Sequence, residues 1–199
     1  MPRNILVFCF SLYLCACTAT TPRQVNNICE IFSEKDDWYS EVKQAYDNWG
    51  VPIHVIMAII HQESHFVADA QPPRPWLLGI IPWFRSSSAY GYAQAQEGTW
   101  RDYLNQGGRW GADRDNFADA SDFVGWYCDN SHQQLGISKW DTQKLYLAYH
   151  EGNGGYKRRS YAKKPWLIKV ARKVKHKSQL FQTQLSTCQQ QLESSGWFF

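Results

Sequence analysis

The sequence is organised around Ile59-Ile60-His61-Gln62-Glu63-Ser64-His65-Phe66, where an apolar helix runs into an acidic residue. Apolar residues recur at three-to-four spacing from Ile53 onward and predict a helix that begins at Val51-Pro52, since proline is tolerated in a first helical turn. This spacing puts Glu63 beside the apolar face, at the end of the helix. A carboxyl group half inside apolar surroundings has a raised pKa, which suits a general acid. We therefore expect Glu63 to be catalytic; the alternative is a helix-end glutamate that reaches solvent.

His61 and His65 flank Glu63 at the spacing of a zinc-binding helix, but their order differs from that of the zinc motif. In the H-E-x-x-H motif the glutamate follows the first histidine directly. Glu63 instead lies two residues from each histidine, about 200° around the helix from both. The histidines could still bind a metal, but Glu63 could not act on it. We expect neither a catalytic metal nor any other cofactor.

The start of the chain has the features of an export signal. Its apolar run, Ile5 to Leu14, is too short to span a bilayer. The following Cys15-Ala16-Cys17 resembles the end of a bacterial lipobox, in which cleavage leaves the cysteine as the lipid-modified first residue. Because Thr18 rather than aspartate follows Cys17, we expect a periplasmic protein that is lipid-anchored to the outer membrane. Ordinary secretion with cleavage near Ala19 is the alternative.

The chain that remains is long enough for one compact domain with a substantial core. We expect a signal peptide over residues 1–16, a lipid anchor and tether over residues 17–27, and a single, monomeric domain over residues 28–199. Periodicity predicts helices over residues 28–35, 38–50, 51–64, 99–105, 115–136 and 141–152, with Thr99, Asp115 and Asp141 as N-caps. A last helix is predicted from Pro165, with one apolar face formed by Leu167, Val170, Val174, Leu180 and Leu185. No alternating pattern predicts a strand, so the fold class is mainly α.

A proline-rich apolar segment, residues 71–84, follows the Glu63 helix. Its four prolines exclude a regular helix. We favour a loop that folds over the domain as a lid or wall. The alternative is an exposed apolar patch that faces a membrane or a partner.

Composition adds information on binding partners. Aromatic residues make up 16% of the chain, with tryptophans in loops as well as helices, and such rings stack well on sugars. The net charge is +3, and residues 157–177 are rich in lysine and arginine and hold no acid. This segment is either a solvated helix face or a surface that attracts an anionic polymer or membrane. An exported chain is not expected to bind nucleic acid.

Three short motifs resemble those of soluble-lytic-transglycosylase (SLT) domains, in the same order. Glu63-Ser64, Gly91-Tyr92-Ala93-Gln94 and Ala148-Tyr149-His150 are similar to the family's E-S, G-L-M-Q and A-Y-N. The resemblance covers roughly Trp38 to Tyr161 and implies a lysozyme-like fold of the goose type, with peptidoglycan as the substrate. Tyr92-Ala93 departs from Leu-Met in the apolar wall, and His150 departs from asparagine. The proline-rich loop is also longer than the family's usual link.

The resemblance implies a mechanism with one carboxylate. Glu63 would protonate the oxygen between N-acetylmuramic acid and N-acetylglucosamine while the substrate's N-acetyl group supports the anomeric carbon. It would then take the proton from the muramic 6-hydroxyl, which closes a 1,6-anhydro ring. One of the serines would orient Glu63 or the acetamido group, and the tyrosines and the glutamine would form the wall and position the sugar. The implied substrate-binding residues are Ser64, Ser88, Tyr92, Gln94 and Tyr149.

Two other functions remain open at this point. In a lysozyme-type hydrolase, Glu97 or Asp102 would activate water opposite Glu63. In a non-catalytic lipoprotein, the cleft would hold peptidoglycan without cutting it. Product chemistry separates the hydrolase from the transglycosylase.

An exported domain permits disulfides. Cys29 and Cys188 flank the domain, and we expect them to join its first helix to its last. Cys128, in partly buried surroundings, would then be a free thiol. Sequence does not fix the pairing, and Cys29 with Cys128 is the main alternative.

Overall fold

The computed structural model describes residues 20–73, 76–77, 81–82 and 87–195. Within these ranges the chain is mainly helical, as the sequence predicts. The helices there are α1 (Ile28–Glu34), α2 (Trp38–Trp49), α3 (Ile53–Ser64), α4 (Glu97–Asn105), α5 (Phe117–Leu135), α6 (Thr142–Lys157) and α7 (Pro165–Ser195). A short 3-10 turn, Ser160–Lys163, joins α6 to α7. In this described part of the chain, no helix has the length and apolar character that crossing a bilayer requires.

Helix α3 is the centre of the core. Every residue from Val55 to Ile60 is fully buried, and the helix contacts α2, α5 and α7. A helix that is apolar on all sides is typical of such a position. Near its start, His54 lies 2.8 Å from the hydroxyl of Ser178, which also accepts a hydrogen bond from Thr142. These contacts fix α3, and therefore Glu63 at its end, relative to α6 and α7.

Local sequence sets several helix ends as predicted. Gly50 and Gly136 adopt left-handed backbone after α2 and α5, with φ of 65° and 67°. Asp141 caps α6, because its side chain accepts a hydrogen bond from the backbone N–H of Lys144 at 3.2 Å. Glycine after a helix and aspartate before one are the residues these positions favour.

Two predicted caps are wrong. Helix α4 begins at Glu97, so Thr99 lies within its first turn instead of before it. Helix α5 is capped by Asn116 rather than Asp115, since the Asn116 side chain accepts a hydrogen bond from the N–H of Asp119 at 3.1 Å. Both residue types are common caps, and sequence alone does not choose between neighbours.

Helix α7 packs one apolar face against α3 and α6. It begins at Pro165, as predicted, and Leu167 and Val174 are buried. Leu180 is the exception, because it is 45% exposed while the neighbouring Phe181 is fully buried. The predicted face was therefore wrong by one residue at this turn.

The proline-rich segment contains two very short strands. Strand β1 (Trp76–Leu77) pairs antiparallel with β2 (Ile81–Pro82). The sequence predicted no strand, and a pair of two-residue strands is too short to show an alternating pattern. The predicted lid or exposed patch depends on the rest of residues 74–86, which lies outside the described residues.

Residues 20–27 lie against the domain. The N–H of Arg23 donates to Glu34 at 2.9 Å, Pro22 is buried, and Lys177 donates to the side chain of Asn26 at 2.6 Å. Residues 20–27 of the predicted tether therefore contact the domain, and the tether itself stays a prediction. The predicted signal peptide and Cys17 lie outside the described residues.

A disulfide joins Cys29 in α1 to Cys188 in α7. This is the expected pairing, and it excludes Cys29 with Cys128. Cys128 is a fully buried free thiol in α5, and burial raises its pKa to about 12. Such a thiol is unreactive at neutral pH.

Removal of this disulfide should destabilise the domain, because its cysteines are 159 residues apart. In the chain-entropy model, closing a loop of that length is worth about 5 kcal/mol. We expect Cys29→Ser with Cys188→Ser to lower the free energy of unfolding by about that amount in urea titrations. Cys128→Ala is the control and should keep the native chain's sensitivity to reductant. A double variant as stable as the native chain would contradict the prediction.

Candidate active site

Glu63 lies in the last turn of α3, immediately before a sharp change in chain direction. The next residues outside the helix, His65 and Phe66, have φ of 52° and 64°. Left-handed backbone is uncommon for residues other than glycine. Phe66 is fully buried, and its ring centroid lies 5.7 Å from that of Trp38. Core packing therefore holds a strained turn beside Glu63, which fixes where the helix ends.

Burial raises the pKa of the Glu63 carboxyl to about 7. An ionised carboxylate is poorly solvated in these surroundings, so the group keeps its proton to higher pH. The Tyr146 hydroxyl donates a hydrogen bond to the carboxyl, which lowers the pKa of Glu63 and opposes part of the shift. Burial, together with the nearby charge of Glu63, raises the pKa of both Tyr146 and Tyr149. Near neutral pH, Glu63 can therefore both give and accept a proton.

Glu63 lines a cavity of about 460 Å³. This volume is within the range of small-molecule sites. The wall comes from the end of α3, the loop before α4, the first turn of α4, the middle of α5 and the later part of α6. The lining residues are Glu63, Ala89, Gln94, Ala95, Gln96, Thr99, Phe123, Tyr127, Tyr149, His150, Glu151 and Gly152.

Gln94 faces this cavity from a tight turn that starts at Gly91. A side chain at Gly91, where φ is 80°, would place its Cβ 1.9 Å from the carbonyl oxygen of Arg114, so only glycine fits. The Nε2 of Gln94 donates to the carbonyls of Ala70 at 2.8 Å and Gly91 at 3.0 Å. These bonds use both amide hydrogens, so Gln94 can meet a ligand only through Oε1, as an acceptor.

Tyr149 connects the second motif to the third. Its hydroxyl donates to the carbonyl of Ala93 at 2.6 Å. Its ring packs against Tyr127, with centroids 5.0 Å apart, and the Tyr127 hydroxyl donates to the carbonyl of Ala148 at 3.2 Å. Tyr149 therefore lines the cavity with its ring while the backbone holds its hydroxyl. Contact with a sugar stays a prediction for this ring.

The structure gives the two predicted serines other roles. Ser64 is buried, and its hydroxyl donates to the carbonyl of Ile60 at 3.3 Å, inside the helix. The Ser88 hydroxyl accepts a hydrogen bond from the backbone N–H of Glu97 at 3.1 Å, at the start of α4. Neither serine lines the cavity. Both hydroxyls therefore bond to backbone groups at helix ends. A role in orienting Glu63 or the acetamido group stays a prediction for both.

Tyr92 belongs to the core and not to the cleft wall. It is 2% exposed, and the rings of Trp38 and Phe117 meet it edge to face, each with centroids 5.6 Å apart. Burial raises the pKa of Tyr92 to about 12. Tyr92 does not line the cavity that Gln94 faces, and its predicted substrate contact stays a prediction.

Sequence reasoning missed a charged cluster at the break in α6. Glu151 accepts hydrogen bonds from Lys164 at 2.7 Å and from the Ser160 hydroxyl, and lies 3.1 Å from Nδ1 of His150. The bonds from Lys164 and Ser160 lower the pKa of Glu151 to about 2. Gly152 follows with φ of 73° and interrupts the helix. The one feature of the sequence that could have indicated Glu151 was its position directly after the third motif. Its partners Ser160 and Lys164 come from a later segment of the chain.

The two histidines beside Glu63 lie close together, with ring centroids 4.8 Å apart. Burial lowers the pKa of His61 to about 4, so its ring is neutral. Over the described ranges, no set of three or more His, Cys, Asp or Glu side chains is arranged to hold a metal.

Comparison with known proteins gives one match. A family model described as "Transglycosylase SLT domain" matches residues 5–188, a range that contains every residue of the Glu63 cavity. No curated protein and no solved structure matches the chain.

The raised pKa of Glu63 predicts a pH-dependent stability. The folded pKa of about 7 exceeds the ordinary value of 4.5, so folding favours the protonated form. That contribution is fully present below pH 4.5 and is lost as the pH rises through about 7. Relative to Glu63→Gln, the native domain should lose about 3 kcal/mol of unfolding free energy across this window.

Urea unfolding of both proteins at several pH values measures this difference. Glu97→Gln, which removes an exposed glutamate of the described chain, is the control for the loss of one acidic side chain. A difference between native and Glu63→Gln that does not vary with pH would show that Glu63 is solvated.

Proposed function

Because this chain belongs to the transglycosylase SLT domain family, which acts on peptidoglycan, we propose that it is a lytic transglycosylase. Its substrate bond joins N-acetylmuramic acid to N-acetylglucosamine. One observation carries the proposal: of the two carboxyl groups that line the cavity, Glu151 is ion-paired, whereas Glu63 forms no ion pair within the described ranges and has a pKa raised to about 7. A group of this kind can act first as an acid and then as a base.

In the first step Glu63 donates its proton to the glycosidic oxygen. The bond from the anomeric carbon to that oxygen breaks, and its electron pair leaves with N-acetylglucosamine as a hydroxyl group. The oxygen of the substrate's own acetamido group supports the anomeric carbon. In the second step the muramic 6-hydroxyl attacks this carbon, and its proton returns to Glu63. The product is a 1,6-anhydro sugar, no water is consumed, and neither metal nor organic cofactor takes part.

The cavity suits a sugar. Phe123, Tyr127 and Tyr149 present aromatic rings to it. Gln94 adds an acceptor oxygen whose position is fixed by two backbone hydrogen bonds. Ring faces with a few fixed polar groups are the usual composition of small-molecule sites. We propose that these four side chains hold the muramic acid residue beside Glu63.

The second carboxylate in the cavity supports this mechanism over hydrolysis. A hydrolase of the usual kind needs a second carboxylate that is free to activate water or attack the sugar. Glu151 is held by Lys164, Ser160 and His150. Its lowered pKa makes it a weak base, and its oxygens are occupied. Glu151 therefore stabilises the cavity wall.

The other carboxylates considered for hydrolysis lie elsewhere. Glu97 pairs with Arg101 at 3.0 Å on the surface of α4, and Asp102 is exposed. Neither lines the cavity. A purely glycan-holding protein would have no need of a glutamate with a raised pKa, and such shifts cluster at catalytic sites.

We expect Glu63→Gln to reduce glycan cleavage by roughly a hundred- to ten-thousand-fold, because the amide keeps the shape but cannot transfer the proton. Mass spectrometry of peptidoglycan digested by the soluble domain tests the product at the same time. Fragments that end in 1,6-anhydro sugars support the proposal, whereas reducing ends, heavier by one water, would identify a hydrolase. Glu97→Gln is the matched control and should cleave normally.

We propose further that the protein acts as a monomer held in the periplasm by a lipid on Cys17, at the outer membrane. The sequence features of an export signal and a lipobox support this location. Cys17→Ser should move the protein from the membrane fraction to the soluble periplasm without changing the activity of the domain. Membrane fractionation measures this, with Cys128→Ala as control. If the serine variant stays with the membrane, another part of the chain is the anchor.

A further inference from the structure

A second cavity, of about 300 Å³, lies at the ends of α5 and α6. It is lined by Gln134, Leu135, Tyr156, Lys157, Arg159 and Tyr161. We call it the basic cavity, because two of its six lining residues are cations and none is an acid. None of these residues lines the Glu63 cavity.

The charge of the basic cavity is not neutralised by neighbouring groups. Among the described residues, Lys157 and Arg159 take part in no ion pair. Asp141, an acid near Tyr156, is paired with Lys144 at 2.9 Å. Unpaired cations in a concave site attract anions and favour carboxylates.

The chain conformation brings these groups together. Arg159 has left-handed backbone, with φ of 57°, and its N–H donates to the carbonyl of Tyr156 at 2.9 Å. Because of this turn, Lys157, Arg159 and Tyr161 all line the basic cavity. The rings of Tyr156 and Tyr161 lie 5.2 Å apart at 31°, which forms an aromatic wall next to the cations. Strained backbone at an arginine is the kind of feature that clusters at binding sites.

The two cavities lie along the same pair of helices. Tyr127 and Tyr149 line the first, and Gln134 and Tyr156, each seven residues later, line the second. Along the unbroken α5, seven residues advance about 10 Å. Helix α6 is interrupted at Gly152, between Tyr149 and Tyr156. Between the cavities, Asn153 accepts a hydrogen bond from Ser131 at 2.7 Å, which holds the helices side by side.

We propose that the basic cavity binds the acidic peptide stem that muramic acid carries in peptidoglycan. This inference rests on the proposed function, because it places muramic acid beside Glu63. An extended peptide of three residues spans about 10 Å, which matches the advance along α5 from Tyr127 to Gln134. The stem leaves the sugar, follows α5 and α6, and ends with its carboxylate on Arg159 and Lys157. The enzyme thereby prefers glycan strands that still bear peptides.

The test compares two substrates with the full-length mature protein: intact peptidoglycan, and the same material after an amidase has removed the stems. Arg159→Gln with Lys157→Gln should raise the KM for intact peptidoglycan about tenfold, as for the loss of charge-assisted hydrogen bonds. The ratio of kcat/KM between intact and stem-free material should therefore fall. Arg172→Gln with Lys169→Gln, which removes the same charges from the exposed face of α7, is the matched control and should keep the ratio.

A direct binding measurement separates this inference from the proposed function. Calorimetry with a free three-residue stem peptide, on Glu63→Gln protein, should show binding that the Arg159 and Lys157 changes abolish. The inference is overturned if the Arg159 and Lys157 changes lower kcat/KM equally on intact and stem-free peptidoglycan, or if no peptide binding is measured. Either result counts against it even if 1,6-anhydro products are found. Binding of anionic phospholipid vesicles by the same two residues, without peptide binding, would also overturn it and assign the cavity to a membrane surface. If Glu63→Gln still cleaves glycan, the proposed function fails instead.

Discussion

Exclusion of water from the Glu63 carboxyl is the constraint on which the rest of the structure depends. A carboxylate in water is ionised well below neutral pH, and it becomes a useful acid only where solvation is lost. Here α3 provides that loss, since its residues Val55 to Ile60 are buried, the helix packs against α2, α5 and α7, and Glu63 at its end lines the cavity. The strained turn at His65 and Phe66 then keeps the helix from extending past the cavity edge.

The polar groups of the motif residues Gln94 and Tyr149 bond mainly to the protein backbone and leave few donors for a ligand. Gln94 gives both amide hydrogens to backbone carbonyls, and Tyr149 gives its hydroxyl to the carbonyl of Ala93. Arg114 adds bonds of 2.9 Å to the carbonyls of Ser88 and Ala95. These hydrogen bonds therefore assemble one wall of the cavity from segments that are distant in the sequence. What is left for a ligand is mostly ring faces and acceptor oxygens.

The sequence predicted the features that depend on periodicity and on residue type. The apolar α3 with Glu63 at its end, the start of α7 at Pro165 and the pairing of Cys29 with Cys188 are of this kind. Prediction from the sequence failed where the function of a residue depends on the direction in which its side chain points. Ser64 and Glu63 are adjacent, yet one bonds its own helix and the other faces the cavity. Glu151 and Tyr146 were missed because their importance comes from partners brought near by folding.

The contacts of residues 20–27 determine how far an anchored enzyme can reach. Thr20 accepts a hydrogen bond from Lys35 at 2.8 Å, so the chain already contacts the domain at this residue. In the proposed anchored form, Cys17 to Thr20 can span at most about 11 Å. In that form, this short link would hold α1, and the part of α7 that the disulfide joins to it, on the side of the domain that faces the bilayer. We expect such a link to restrict the proposed enzyme to glycan strands that lie close to the membrane.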